Sequence, residues 1–170
     1  MNIIEQINSH RDLFLVEIGE PEENTLRIVV EEGRLGEQIT EKDLEKSEDE
    51  VNEAINSIML GSHPVVSDKS CFAYEIIFET YIAYFVRNES YADGNDSETF
   101  SGGFFGNYTT SSFLDYLKVS TFATEDYPGK FKHYGLFTFR YVVDVASVYE
   151  PNIKILRSPE PPNKQIILNV

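Results

Sequence analysis

Residues 72–91 read FAYEIIFETYIAYFVRNESY, and apolar side chains alternate along most of this segment. The even positions from Phe72 to Val86 are apolar or aromatic except for Thr80, which is the pattern of a strand that lays one face on a core. A helix fits poorly, because β-branched and aromatic residues dominate and apolar residues would point out of every side. We therefore predict a strand and call residues 72–91 the organising segment.

The organising segment is longer than the roughly 3–10 residues of a usual strand. We expect a bulge or bend near Glu79 and Thr80, where the chain would cross from one sheet layer to another. The odd positions mix aromatic residues with carboxylates and one guanidinium, that of Arg87. Functional groups are therefore expected on this second face.

A second long apolar pattern runs from Phe131 to Tyr149. Its odd positions are almost all apolar, and so are four of its even positions: Leu136, Val142, Ala146 and Val148. Apolar residues on both faces predict a central strand that is covered on both sides. We expect this strand to pair with the organising segment.

Shorter patterns predict the elements that precede the organising segment. Residues 1–10 favour a short helix, and the β-rich runs Leu13–Ile18 and Thr25–Glu31 flank a polar turn, which predicts a hairpin. For residues 37–60 two interpretations stay open. Thr40 and Asp43 resemble a capping box that begins a helix ending before Gly61, while the alternative is an acidic loop followed by a strand over 54–60.

After the organising segment, residues 92–107 are rich in Gly, Asn, Asp and Ser and predict a long loop. Ser112 with Asp115 resembles another capping box and predicts a helix of about 11 residues. Residues 153–156 are expected to be extended. A Pro-rich linker and tail, residues 158–170, follow, and the apolar stretch 165–170 predicts a final strand.

These elements predict an α+β, mainly β fold. We expect an antiparallel sheet or two-layer β-sandwich of about six strands with one or two helices. With 170 residues the chain is long enough for one hydrophobic core and short for two, so residues 1–170 are interpreted as a single domain.

The chain is strongly acidic, with a formal net charge of −15 from 14 basic and 29 acidic residues. Residues 1–53 hold sixteen Asp or Glu against five Lys or Arg, a net charge of −11, so the acidity belongs to the N-terminal third. Such charge repels nucleic acids and anionic membranes and favours a basic protein partner.

The remaining composition bears on location and cofactors. The single cysteine, Cys71, excludes an internal disulfide and fits a reducing compartment, and neither a signal peptide nor a membrane span is recognisable, so we expect a cytoplasmic protein. The three histidines do not stand at zinc-ligand spacing, and no nucleotide-binding or hydrolase fingerprint is present. No metal, cofactor or catalytic residue is predicted.

The first candidate binding residues lie at the end of the organising segment. Arg87 and Glu89 share a face of the predicted strand, and Asn88 points the other way. The simpler interpretation is an ion pair at the sheet edge together with a turn-forming Asn. Exposed ion pairs contribute little stability, so such a pair does not by itself indicate a binding site.

His133 and Tyr134 are the next candidates, at the start of the second long strand. A histidine near a carboxylate is a common general base, although a histidine bonded to backbone is the simpler interpretation. Asp144, between two valines, is predicted to be buried and to hold a neighbouring loop through backbone N–H groups. Asp115 and Tyr116 in the predicted helix complete the binding candidates.

Six short stretches together resemble a family of small bacterial proteins without a known activity: residues 84–91, 112–116, 121–123, 127–129, 132–134 and 143–145. The resemblance spans about residues 72–155. It implies a bacterial source and transfers no substrate or site residue.

The acidic N-terminal third and the lack of a catalytic fingerprint favour a protein-binding module that neutralises a basic partner through an acidic surface, as toxin-immunity proteins do. The alternative is a small-molecule or carbohydrate-binding protein, or a hydrolase, with a cleft around Arg87, Glu89, His133 and Tyr134. A third hypothesis is a structural subunit, which would expose an apolar patch or a sheet edge.

Overall fold

The computed structural model describes residues 1–44, 53–92 and 96–159. The elements in chain order are α1 (Ile3–Asn8), β1 (Asp12–Glu22), β2 (Thr25–Leu35), α2 (Glu41–Leu44), α3 (Glu53–Met59), β3 (Val65–Val66), β4 (Ala73–Phe78), β5 (Ala83–Asn88), a 3-10 turn (Glu89–Tyr91), β6 (Thr99–Gly102), β7 (Phe105–Thr110), α4 (Ser112–Ser120), β8 (Lys132–Phe137), β9 (Tyr141–Ser147) and β10 (Asn152–Arg157). The fold is mostly β with short helices, which confirms the predicted α+β, mainly β class.

The strands form two antiparallel sheets. The first has the order β1-β2-β4-β10, with β3 pairing to the end of β2, and the second has the order β5-β9-β8-β7-β6. Their apolar faces pack together in one core, which also receives Ile7 from α1; its buried members are Ile7, Leu13, Leu26, Ile28, Val30, Tyr74, Ile76, Phe78, Phe105, Tyr134, Leu136, Val143 and Val145. The two-layer arrangement therefore has both sheets contributing to a single core.

The organising segment crosses between the sheets as predicted. β4 lies in the first sheet and β5 in the second, and the four residues Glu79–Ile82 connect them. Tyr74, Ile76 and Phe78 face the core, which confirms the even positions as the apolar face of β4. The predicted bend at Glu79 and Thr80 is therefore the crossing point.

The second long pattern, Phe131 to Tyr149, is a hairpin rather than the single strand predicted. β8 and β9 pair antiparallel across a turn that Thr138 closes, since its N–H and Oγ1 both donate to the Tyr141 carbonyl at 2.8 Å. The core-facing positions change from even on β8 (Tyr134, Leu136) to odd on β9 (Val143, Val145), but apolar residues on both faces of these strands concealed the change.

β9 pairs with β5, as expected, and β10 pairs with β4. The chain returns from the second sheet to the first through Val148–Pro151, beside the first crossing. Ser147, which is fully buried, donates its hydroxyl to the Thr80 carbonyl at 2.8 Å and so joins the two crossings. The paired strands β4–β5 and β9–β10 thus form one bent ribbon that runs through both sheets.

On the outer face of the first sheet, acidic and basic side chains alternate from strand to strand and form ion pairs across the four main strands. Arg27 on β2 pairs with Glu17 on β1 at 2.6 Å and with Glu75 on β4, and Lys154 on β10 pairs with Glu75. Hydrogen bonds from Lys154 and then from Arg27 lower the pKa of Glu75. Glu75, on the second face of the organising segment, is therefore paired with cations of the two neighbouring strands.

Two other predictions differ from the structure. Residues 92–107 contain the hairpin of β6 and β7 instead of a continuous loop, and Gly102 takes a positive φ of 151° that favours glycine. α4 is capped by Ser111, whose hydroxyl accepts from the Leu114 N–H, not by Ser112. Gly-, Ser- and Asn-rich composition is typical of loops, so it concealed a short edge hairpin.

For residues 37–60 the helical interpretation is correct where the structure describes the chain. Thr40 donates its N–H and its hydroxyl to the Asp43 carboxylate at the start of α2. α3 occupies Glu53–Met59, so the strand predicted over 54–60 is wrong. The last eleven residues of the tail, including the predicted strand 165–170, lie outside the described residues.

The stability of the protein is expected to depend on pH through Asp68, in the segment before β4. Its carboxylate accepts from the Ser70 hydroxyl and N–H at 2.6 and 2.7 Å and from Arg34. Hydrogen bonds from Ser70 are the largest cause that lowers the pKa of Asp68 from 3.8 to about 2. Because the folded pKa is depressed, the stabilisation is present above pH about 3.8 and is lost as the pH falls toward about 2.

Asp68→Asn should therefore be less stable than the parent protein at neutral pH, and the two urea midpoints should converge as the pH falls to about 2. The matched control is Asp126→Asn, which changes an exposed carboxylate in the turn after α4. A difference between parent and Asp68→Asn that stays constant from neutral pH to about pH 2 would contradict this expectation.

Candidate functional site

The candidate site lies on the outer face of the second sheet, which α4 covers in part. Alternation along β8 turns Tyr134 toward the core and His133 toward this outer face. Asp144 on β9 and Arg87 on β5 project from the neighbouring strands of the order β5-β9-β8. Three chemically active side chains are therefore brought together by sheet pairing alone.

The carboxylate of Asp144 is the centre of this group. Its Oδ2 accepts from Arg87 Nε at 2.8 Å, and its Oδ1 bonds His133 Nε2 at 2.9 Å. Asp144 is only 3% exposed and His133 only 2%, while Arg87 is partly open to solvent. Asp144 is buried, as predicted, but it binds two side chains where backbone N–H groups were expected.

Aromatic rings enclose the histidine. The Tyr108 ring stacks on His133 with centroids 4.2 Å apart and planes 9° apart, and Phe113 of α4 meets the same ring edge-on at 4.9 Å. Burial, followed by the charge of Asp144, raises the pKa of Tyr108. His133 Nδ1 is buried and has no hydrogen-bond partner among the residues that the structure describes.

A cavity of about 250 Å³ opens beside this network, and we call it the Asp144 cavity. Its lining residues are Phe85, Arg87, Glu98, Ser112, Phe113, His133 and Asp144. Glu98 Oε1 accepts from the Ser112 N–H at 2.7 Å, where the positive end of the α4 dipole stabilises its charge. The cavity thus combines aromatic walls with carboxylates and one guanidinium.

Exposed apolar side chains continue from the cavity along α4 and the loop after it. Phe85 contacts Tyr116 with ring centroids 6.1 Å apart, and Phe122 stacks on Tyr127 at 6.2 Å. Helical spacing places Val119 on the same side as Tyr116. Val119 is 85% exposed, Phe122 82% and Tyr127 66%, and Phe85 and Tyr116 are exposed to about half. We call these five residues the aromatic face.

The structure brings together two of the four residues of the predicted cleft. Arg87 and His133 meet through Asp144, whereas Tyr134 faces the core against Phe78 and Glu89 lies in the exposed 3-10 turn. The four-residue cleft is therefore wrong: neighbouring residues of one strand point to opposite faces, so His133 and Tyr134 cannot share a site.

The other candidates divide in the same way. Asn88 caps the 3-10 turn by accepting from the Ser90 N–H, which is the structural interpretation given for it. Asp115 forms an exposed ion pair with Lys118 at 2.8 Å and does not reach the cavity's lining. Tyr116 belongs to the aromatic face.

Sequence reasoning missed Tyr108, Phe113 and Glu98. Tyr108 lies on β7 and Glu98 stands just before β6, in the hairpin that composition concealed, and Phe113 lies in α4, for which only a helix was predicted. A signal existed for Tyr108. Phe100 and Tyr108 are aromatic residues on either side of a Gly-rich stretch, and a hairpin would pair them, as β6 and β7 do in the structure.

Comparison with protein-family models, curated proteins and solved structures gave no match. The resemblance to small bacterial proteins therefore stays a prediction. Its six stretches all lie in the second sheet, α4 and the turns beside them. Within residues 1–44, 53–92 and 96–159, no helix is long and apolar enough to cross a membrane, and no three His, Cys, Asp or Glu side chains are grouped to hold a metal.

Proposed function

We propose that the protein is a binding module for a basic protein partner and that the aromatic face is its contact surface. The observation that carries this proposal is the exposure of five apolar side chains on one element and its neighbours: Phe85, Tyr116, Val119, Phe122 and Tyr127. Contiguous exposed apolar surface is uncommon on monomeric proteins and marks interaction sites.

The composition of the face also supports a protein interface. Four of its five side chains are aromatic, and aromatic residues are enriched at the centres of protein interfaces. Tyr116 and Val119 stand three residues apart on α4, so a partner can contact both along one side of the helix. Single exposed apolar residues elsewhere would not support the same inference.

Charge supports a basic partner. The net charge of −15 attracts cationic proteins and speeds their encounter. The tip of the β1–β2 hairpin is exposed and carries Glu20, Glu22 and Glu23. Tyr84 on β5, which packs against the core, donates its hydroxyl to Glu20 at 3.3 Å and so ties the acidic hairpin tip to the second sheet.

Photo-crosslinking tests this proposal. The protein carrying p-benzoylphenylalanine at position 122 is expected to capture a basic protein from a lysate of the source organism, and capture should decline as salt rises. The same residue at position 16 is the matched control, because Val16 is exposed on β1 in the other sheet. Equal capture at both positions, or capture indifferent to salt, would contradict the proposal.

Once the partner is identified, Phe122→Ser is expected to weaken its binding by at least about 30-fold, the effect of losing an interface residue worth about 2 kcal/mol. Val16→Ser, which also replaces an exposed apolar side chain with serine but in the first sheet, should leave affinity unchanged. Isothermal titration calorimetry measures both. Size-exclusion chromatography with light scattering adds a separate outcome: a stable homo-oligomer lost in Phe122→Ser would assign the face to self-assembly instead.

Neutralisation of a basic toxin is one activity consistent with such a module. Its test is co-expression: the chain should rescue growth only with the toxin it binds, and Phe122→Ser should lose the rescue. A cytoplasmic location belongs to the same proposal. For a hydrolase we see less support, because His133 is buried between Tyr108 and Phe113, and Glu89 and Tyr134 lie elsewhere.

A further inference from the structure

We propose that the Asp144 cavity binds a primary ammonium group and that its occupant is a lysine side chain of the basic partner. The identity of the occupant rests on the proposed function. Phe85 belongs both to the cavity lining and to the aromatic face, so a partner seated on the face would place side chains at the cavity mouth.

The size of the cavity suits one side chain. Its volume is about 250 Å³, below the range of about 300–1,000 Å³ that pockets for drug-sized ligands occupy. Interfaces commonly concentrate their binding energy in a few side chains that fill such pockets. A single anchoring residue therefore fits better than a free metabolite of larger size.

Besides the N–H groups that Arg87 does not donate to Asp144, the cavity offers acceptors on Glu98 and His133. Both carboxylate oxygens of Asp144 are engaged, whereas Glu98 has one oxygen on the Ser112 N–H and no second hydrogen bond with any residue that the structure describes. In the neutral histidine that donates Nε2–H to Asp144, Nδ1 is an acceptor too. An ammonium carries three donors and no acceptor, which matches the acceptors on Glu98 and His133.

The charges favour a cation as well. Arg87 is paired with Asp144, so these two charges cancel and Glu98 leaves the lining with a net charge of −1. The rings of Phe85 and Phe113, with centroids 5.1 Å apart, form apolar walls whose faces attract a cation. The four-carbon stem of lysine would pack on these walls while its ammonium reaches Glu98.

Titration of the ¹⁵N-labelled protein with N-acetyl-lysine methylamide tests the site without any partner. The expected result is saturable shifts of the Glu98, Phe113 and His133 amides, with N-acetyl-norleucine methylamide, which lacks the ammonium, binding at least about tenfold more weakly. Equal binding of the two probes would overturn the proposal. Tighter binding of N-acetyl-glutamate methylamide, abolished by Arg87→Gln, would overturn it in favour of an anion site.

Glu98→Gln supplies the matched variant, because glutamine keeps an oxygen for the Ser112 N–H and removes the charge. It should weaken the lysine probe at least about tenfold. Glu89→Gln, which changes an exposed carboxylate in the 3-10 turn outside the lining, should leave binding unchanged. Unchanged binding by Glu98→Gln would overturn the assignment.

The outcomes separate this inference from the proposed function. Capture of a partner at position 122 without lysine-probe binding would overturn the cavity assignment alone. Lysine-probe binding with no partner captured would overturn a partner's lysine as the occupant, and would leave the cavity as a site for a free amine.

Discussion

Asp144→Ala is expected to lower the free energy of unfolding by about 1.5–3 kcal/mol, the cost of removing the hydrogen bonds of a buried carboxylate and leaving a buried partner unsatisfied. The carboxylate holds both His133 and Arg87, and the substitution leaves the buried His133 Nε2 without its partner. Unfolding in urea, followed by circular dichroism, measures the loss. Asp144→Asn should lose less, because its amide oxygen can still accept one of the two hydrogen bonds.

Asp115→Ala is the control for Asp144→Ala. It removes a carboxylate that also pairs with a cation, Lys118, but at an exposed position on α4. Exposed pairs of this kind contribute about 0–1 kcal/mol. Similar losses for Asp144→Ala and Asp115→Ala would show that the buried network is not what holds β5, β8 and β9 in register.

Phe78→Ala should cost about 3–5 kcal/mol, through lost burial and the cavity left behind. Phe78 is 1% exposed, ends β4 just before the crossing, and contacts Tyr134 of the other sheet with ring centroids 5.3 Å apart. Because the two sheets share this contact, we expect circular dichroism and tyrosine fluorescence to report one coincident transition in the variant as in the parent.

The control for Phe78→Ala is Tyr149→Ala, which truncates an aromatic ring that is exposed at the second crossing. Its cost should stay within about 0.5 kcal/mol, as for surface substitutions generally. Two separate transitions in Phe78→Ala would indicate that the sheets can unfold independently, against the single core described above.

Much of the fold follows from alternation and breaks in the sequence. The even face of the organising segment, the bend at Glu79 and the pairing with a second long run were all predictable, because burial imposes a period of two on strands. The turn at Thr138 was not, since apolar residues on both faces concealed the change of the core face from even positions on β8 to odd positions on β9. The hairpin of β6 and β7 escaped for the opposite reason, because Gly and Ser suppress the β signal while pairing supplies the stability.

The candidate site was predictable only residue by residue. Local sequence context singled out Arg87, His133 and Asp144 one by one. Their contact depends on the strand order β5-β9-β8, which sequence spacing does not give. Glu89, one of the four residues of the predicted cleft, does not join this group, because the 3-10 turn takes it out of the strand. The exposure of Tyr116 was not predictable, because the apolar spacing of α4 also describes a buried helix.

The bent ribbon has a consequence for how fast the chain reaches its native state. Its pairs join residues far apart in sequence, from Asn88 with Tyr141, 53 positions apart, to Ala73 with Arg157, 84 positions apart. Chain closure over such distances costs entropy before the paired strands return any stability. We therefore expect folding in milliseconds to seconds, with the ribbon among the last contacts to form and a newly made chain exposing β5 until it does.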